Sequence, residues 1–353
     1  MKSFVLLLTF LVFPLTSLSA ETPESLNDLA TEQPKSLTEL QDEFLSWKFG
    51  MFLHFNMATF NNQGWANGYE DPATFAPDQL DCGQWADAAV AAGMKYAILT
   101  VKHTGGWCLW PSEVTTHDIN SFKNYKAGQG DIVREFVDVF RRKGIKVGFY
   151  YCMPGHYINK YGNQQPEGKP VLYGLPPEAE GDYIGFVKKQ FAELLTQYGP
   201  IDVLWVDQYA QKFTLGKWPS IKEYIKSLQP NCIVIGNNSR DLKTTDIYSY
   251  ELPVYKGKRI EDLIAADNTM ATEVCDFLGP AWFWNEDRQW SKERRDESKL
   301  LPVEEVLKRL NTCNSRNANY LLNAGPDNRG LLPELTVKRL KEIGDQRNDI
   351  RAQ

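Results

Sequence analysis

The chain is poor in the residues that build metal and redox sites. Of its 353 residues only four are histidine and six are cysteine. Cys82, Cys108, Cys152, Cys232, Cys275 and Cys313 are scattered, with no C-x-x-C among them, so the spacing of a cysteine zinc site is missing. No H-x-x-x-H occurs either. No glycine-rich dinucleotide fingerprint follows a strand-like run, which removes the usual signature of a nicotinamide or flavin fold. Positive charge is also scarce: 39 Lys and Arg face 45 Asp and Glu, a formal net charge of −6. That lacks the footprint of a nucleic-acid binder and mainly implies solubility. Beyond residue 20 no run is long and apolar enough to span a bilayer. We therefore expect no metal, no cofactor, no nucleic-acid partner and no membrane span.

What is present starts with a leader. Lys2 supplies a positive end, residues 4–15 are apolar apart from Thr9 and Pro14, and Ser17-Leu18-Ser19-Ala20 is a small-residue stretch. Residues 1–20 read as a secretory signal peptide cut after Ser19 or Ala20, so the protein is expected to be exported, periplasmic or secreted. Export permits disulfides, but the apolar runs around several cysteines favour buried free thiols. Residues 21–40, polar and rich in Glu, Thr, Ser and Pro, read as an extended lead-in. Residues 41–353 show no linker or repeat and are expected to form one domain.

Within that domain short apolar or β-branched runs alternate with helical patterns. The predicted strands are 49–55, 96–102, 147–151, 203–207, 233–237, 246–251, 272–276 and 319–323. Predicted helices include 83–92, 132–143, 182–198 and 303–313, the first three stopping at Gly93, Gly144 and Gly199. Near-continuous apolar strands alternating with helices imply a parallel sheet buried on both faces. Eight of them imply an α/β fold, a single-domain TIM-like (β/α)8 barrel. About nine residues separate the fifth and sixth strands, too few for a helical crossover, so the barrel should be irregular there.

In such a barrel the chemistry sits at the C-terminal strand ends. Those ends carry His54 and Asn56, Lys102 and His103, Tyr150 and Tyr151, Asp207, Asn237 and Asn238, Glu251, Glu273 with Asp276, and Asn323. Asp207 closes the run Ile-Asp-Val-Leu-Trp-Val-Asp, where burying a carboxylate is costly unless it is paired or used. Glu251, on the sixth strand, could face it across the barrel mouth. Two carboxylates flanking one bond are what glycoside hydrolysis needs, one attacking the anomeric carbon and one protonating the leaving oxygen. A helix cap or ion pair at Asp207, and a turn glutamate at Glu251, compete with that reading. Neutral imidazoles at His54 and His103 could bind sugar hydroxyls. Trp65, Trp107, Trp110, Trp282 and Trp284 lie in loops after strands, where aromatic faces pack on sugar C–H faces.

Several segments resemble the α-L-fucosidases of glycoside hydrolase family 29. They are Trp47-Lys48-Phe49-Gly50-Met51-Phe52-Leu53-His54-Phe55, Gly64-Trp65 through Glu70-Asp71-Pro72, Lys102-His103 with Cys108-Leu109-Trp110-Pro111-Ser112, Leu204-Trp205-Val206-Asp207, and Asn319 through Asp327 followed by Gly330. The likeness runs from about residue 40 to about residue 345. It implies a retaining exo-glycosidase that removes terminal α-L-fucosyl residues from an oligosaccharide or glycan through a covalent glycosyl-enzyme. By that resemblance Asp207 is the nucleophile and Glu251 the acid/base, with Glu273 as the fallback. His54, Trp65, Glu70, His103, Tyr150 and Trp282 match positions that line the sugar pocket. The stretches 64–72 and 279–283 resemble the subgroup preferring α-1,3/1,4-linked fucose. Two departures stand out. The family's Lys-His-His-Asp-Gly-Phe is here Lys102-His103-Thr104-Gly105-Gly106-Trp107, which opens an exo-α-L-galactosidase or a non-catalytic sugar-binding relative as alternatives. The C-terminal β-sandwich of many relatives is expected to be absent. A metal-dependent barrel hydrolase is a third reading.

Overall fold

The computed structural model describes residues 33–61, 64–153, 181–210, 216–285 and 299–352. The leader expected at 1–20 and most of the expected lead-in lie outside them. Within 21–40, residues 33–36 carry no regular structure and the first helix opens at Leu37.

In chain order the elements are α1 (Leu37–Trp47), β1 (Phe49–Leu53), α2 (Cys82–Ala91), β2 (Tyr96–Lys102), α3 (Ile132–Arg142), β3 (Lys146–Cys152), α4 (Tyr183–Thr196), β4 (Val203–Asp207), α5 (Trp218–Leu228), β5 (Ile233–Gly236), β6 (Tyr248–Glu251), α6 (Ile260–Leu263), β7 (Thr272–Phe277), α7 (Val303–Asn314), β8 (Ala318–Asn323) and α8 (Glu334–Ala352). The eight strands form one parallel sheet in the order β5-β4-β3-β2-β1-β8-β7-β6, a nearly closed, irregular (β/α)8 barrel. Helix starts follow the sequence closely. Asp81, Asp131 and Asp182 each accept first-turn amides, and Ser36 with Glu39 forms a reciprocal cap on α1. Gly93 and Gly144 stop their helices with φ of 73° and 70°, a conformation a side chain would strain.

The predicted irregularity falls where expected. No ladder joins β5 to β6. A backbone bond, Asp246 N to Val234 O (2.7 Å), and side chains stitch that seam: Val234 N donates to Asp246 Oδ2 (2.8 Å) and Gly236 N to Thr245 Oγ1 (3.0 Å). Lys222 and Lys226 neutralise Asp246 at 2.8 and 2.7 Å. Asp246 and Thr245 thus precede β6 rather than opening it.

Alternation along the strands separates two cores. Phe52, Ile98, Tyr150, Trp205 and Leu321 point into the barrel, whose bottom is closed by Leu40, Phe44 and Trp47 of α1. Met51, Leu99, Phe149, Leu204 and Leu322 point out to the helices. On β4 the inward series is Val203, Trp205 and Asp207, so the carboxylate inherits an inward aim at the barrel's top. All six cysteines are buried free thiols, as their apolar surroundings imply.

Candidate active site

A cavity of about 690 Å³ opens at the C-terminal ends of the strands. Its floor is Phe52, Tyr150 and Trp205, and both Asp207 and Glu251 reach it. Asn237, just past β5, couples the two acids. Its single Nδ2 donates to Asp207 Oδ1 and to Glu251 Oε2, each at 2.9 Å. Two contacts to one atom hold those oxygens no more than twice 2.9 Å, or 5.8 Å, apart.

The two carboxyls differ in surroundings. Asp207 also accepts from Tyr150 Oη at 2.9 Å and from Gln208 N at 2.8 Å. Burial raises its pKa above the ordinary value, while those hydrogen bonds favour the charge. Glu251 is pushed up to about 7, first by burial and then by the Asp207 charge; bonds from Asn237, Trp282 and Asn238 only partly offset this. The Asp207 charge thus helps to keep a proton on Glu251 up to about neutral pH.

Of the sugar-pocket residues named from sequence, His54, Trp65, His103, Tyr150 and Trp282 line this cavity. His54 Nδ1 lies 2.8 Å from Asn323 Oδ1, while Asn323 Nδ2 donates to Trp282 O at 2.8 Å. That network fixes the amide, so His54 Nδ1 donates and Nε2 is left as an acceptor. Burial drives the His54 pKa down to about 3 and that of His103 well below its usual value, the His54 ring adding to the second shift. Both rings are neutral hydrogen-bonding groups. His103, Tyr150 and Trp205 form a stack with centroids 5.1 and 5.3 Å apart, and His54 stacks on Trp282 at 4.8 Å.

His103 owes its aim to a break in β2. The β2–β3 register shifts between Thr100 and Lys102. Such a bulge re-aims the residues beyond it. Lys102 turns outward to donate to Tyr151 Oη (2.9 Å), and His103 turns in. Lys102 is fully buried without a carboxylate partner among the described residues, and burial lowers its pKa to about 8. The unfolded chain therefore holds more protons between roughly pH 8 and 10.5, so stability should rise with pH across that window. We expect Lys102→Met to stabilise the fold at pH 7 by on the order of 1–3 kcal/mol. Thermal melts from pH 7 to 10 should show a flatter profile in the variant; an unchanged slope would refute the account.

Other residues named from sequence lie away from the cavity lining. Glu70 does not line the cavity. Its carboxylate is occupied by Asn67 N (2.5 Å), Gly68 N (2.9 Å) and Trp107 Nε1 (2.9 Å), so it shapes the loop that carries Trp65. The fallback Glu273 is also outside the lining. It lies deep in the barrel and accepts from Tyr96 Oη and Trp205 Nε1, both at 2.7 Å, holding the tryptophan's back. Trp110 is core, its indole bonded to Glu193 at 2.8 Å. Thr104 stands behind His103, 3.1 Å from Nδ1, and does not line the cavity. Sequence reasoning noted Asn237 and Asn323 only as strand-end polars and gave them no role.

The profile of the family described as alpha-L-fucosidase matches residues 17–348. The chain belongs to the alpha-L-fucosidase family. This is a family of glycoside hydrolases. An Arabidopsis thaliana alpha-L-fucosidase 1 is 27% identical over 97% of this chain and 67% of its own length. A rice putative alpha-L-fucosidase 1 is 29% identical over 88% of this chain and 59% of its own length. Among solved structures, alpha-L-fucosidase isoenzyme 1 from Paenibacillus thiaminolyticus superposes with a TM-score of 0.69 at 28% identity, over 89% of this chain and 76% of that one. This chain thus spans about three fifths to two thirds of the plant relatives.

Proposed function

We propose that this protein is a retaining exo-α-L-fucosidase with Asp207 as nucleophile and Glu251 as acid/base. The observation that carries the reading is the Asn237 bridge between two carboxyls, one of which burial and the other's charge push up to about 7. Asp207 attacks the anomeric carbon as the glycosidic C–O bond breaks, and Glu251 passes its proton to the departing oxygen. The resulting ester between Asp207 and the sugar is then attacked by water, which gives its proton back to Glu251 as Asp207 leaves. The spacing supports this route, since retaining pairs stand about 5–5.5 Å apart while inverting pairs need roughly 6.5–9.5 Å for a water. His54 Nε2 and His103 bind sugar hydroxyls, and Trp65 and Trp282 flank the ring. The family stretches 64–72 and 279–283 favour α-1,3/1,4-linked fucose on branched glycans, and the leader-like residues 1–20 support export.

The deciding experiment is hydrolysis of an aryl α-L-fucoside followed by proton NMR. We expect α-L-fucose to form first, before mutarotation. A β-anomer as first product overturns retention. Turnover of the α-L-galactoside alone favours that glycone instead, and tight glycan binding without turnover of either marks a sugar-binding relative.

A further inference from the structure

At about 690 Å³ the cavity is larger than one monosaccharide requires. Beyond Glu251 the lining continues through Pro253, Val254 and Lys256. An acid/base group stands beside the leaving oxygen, so this lip is where the sugar released from fucose must sit. Its chemistry is uneven. Val254 is 59% exposed, one of two large hydrophobics left so exposed among the described residues. Beside it Lys256 is exposed and pairs with no carboxylate among the described residues. A second cation stands close by. Arg240 donates to Tyr255 Oη (3.2 Å) and lies 4.7 Å from the Tyr250 ring, partners that leave its charge uncompensated. Tyr255 Oη in turn donates to Asn238 Oδ1 (3.2 Å), and Asn238 accepts from Glu251 N at 3.0 Å. The lip is thereby tied to the acid/base residue.

We propose that this lip is a leaving-group subsite for an acidic sugar, with Pro253 and Val254 taking the C–H face of the ring and Lys256 its anionic substituent. The proposal rests on the fucosidase reading above. The negative group is a carboxylate of a uronic acid or a sulfate ester. Either would meet a positive lip above a cavity whose nucleophile charge, on Asp207, repels an anion placed deeper. Exposed charge pairs are weak and screened by salt, so discrimination should be modest and fall with ionic strength.

The test compares kcat/KM for α-L-fucosyl disaccharides in matched pairs: glucuronic acid against glucose, and 6-sulfated against unsulfated galactose. The wild type should favour at least one acidic member roughly three- to fivefold at low salt. Lys256→Gln should bring that ratio close to one. Lys258→Gln, exposed and outside the lining, should keep it. The pair that shows the preference tells carboxylate from sulfate. No preference in the wild type, or a preference that survives in K256Q or is lost equally in K258Q, overturns the subsite. An aryl α-L-fucoside left intact by the wild type overturns instead the activity on which the subsite depends.

Discussion

Asp207→Ala should lower kcat for an aryl α-L-fucoside by on the order of 10⁴-fold, about 5–6 kcal/mol of barrier. Without the carboxylate there is no covalent intermediate, and the remaining cavity offers only binding and proton donation. The fold should survive. Asp207 ends β4 with its side chain inward at the barrel mouth, and among the described residues no ion pair depends on it. Its burial is unfavourable to the charge, so the melting temperature should hold or rise. Azide distinguishes a missing nucleophile from a damaged site. It should enter the space left by the carboxylate and restore turnover, giving a β-fucosyl azide. Activity within tenfold of wild type, or a loss that accompanies unfolding, would remove Asp207 from the mechanism.

The reason Asp207 could be read from sequence also explains what could not be. A carboxylate closing a five-residue apolar strand is conspicuous because alternation fixes its face and the strand end fixes its depth. Strand and helix limits were legible for the same local reasons, down to the glycine stops and the weak β5–β6 connection, though Asp182 caps its helix rather than opening it. Glu251 and Glu273 were harder to tell apart, since both occupy barrel strands. Depth separates them: Ser249 pairs with Glu273 and Glu251 with Cys275, so Glu273 lies two residues below the mouth. That offset depends on inter-strand register, which no single segment carries. Asn237 was opaque for a related reason. Its importance is that one amide reaches two acids from different strands, a property of the assembled barrel and not of any one segment. The loops were the least legible. Glu70 matches a pocket position, yet its own loop's amides and Trp107 consume the carboxylate. Of the five loop tryptophans, Trp65 and Trp282 reach the cavity, while Trp107 and Trp110 spend their indole N–H groups on buried glutamates.

Glu251 sets the second large effect, because its proton must be present when the bond breaks. Its carboxyl is held near 7 by burial and by the Asp207 charge. A raised pKa keeps the group protonated up to that point, so kcat/KM should fall as pH rises through about 7, with the acid-side limb set by protonation of the pair. In Glu251→Gln the alkaline limb should vanish. Rates should drop by roughly 10²–10⁴-fold for sugar leaving groups, which need the proton, and much less for an acidic nitrophenol, which does not. Asn237→Ala provides the internal check. Its amide favours the charged form of Glu251, so removing it should carry the alkaline limb to higher pH. A limb that persists in E251Q, or a uniform rate loss across leaving groups, would assign the proton to another residue. The direction of the Asn237→Ala shift then tests the bridge itself. If the limb moves to lower pH instead, the amide is not holding the two carboxyls in the roles their surroundings assign.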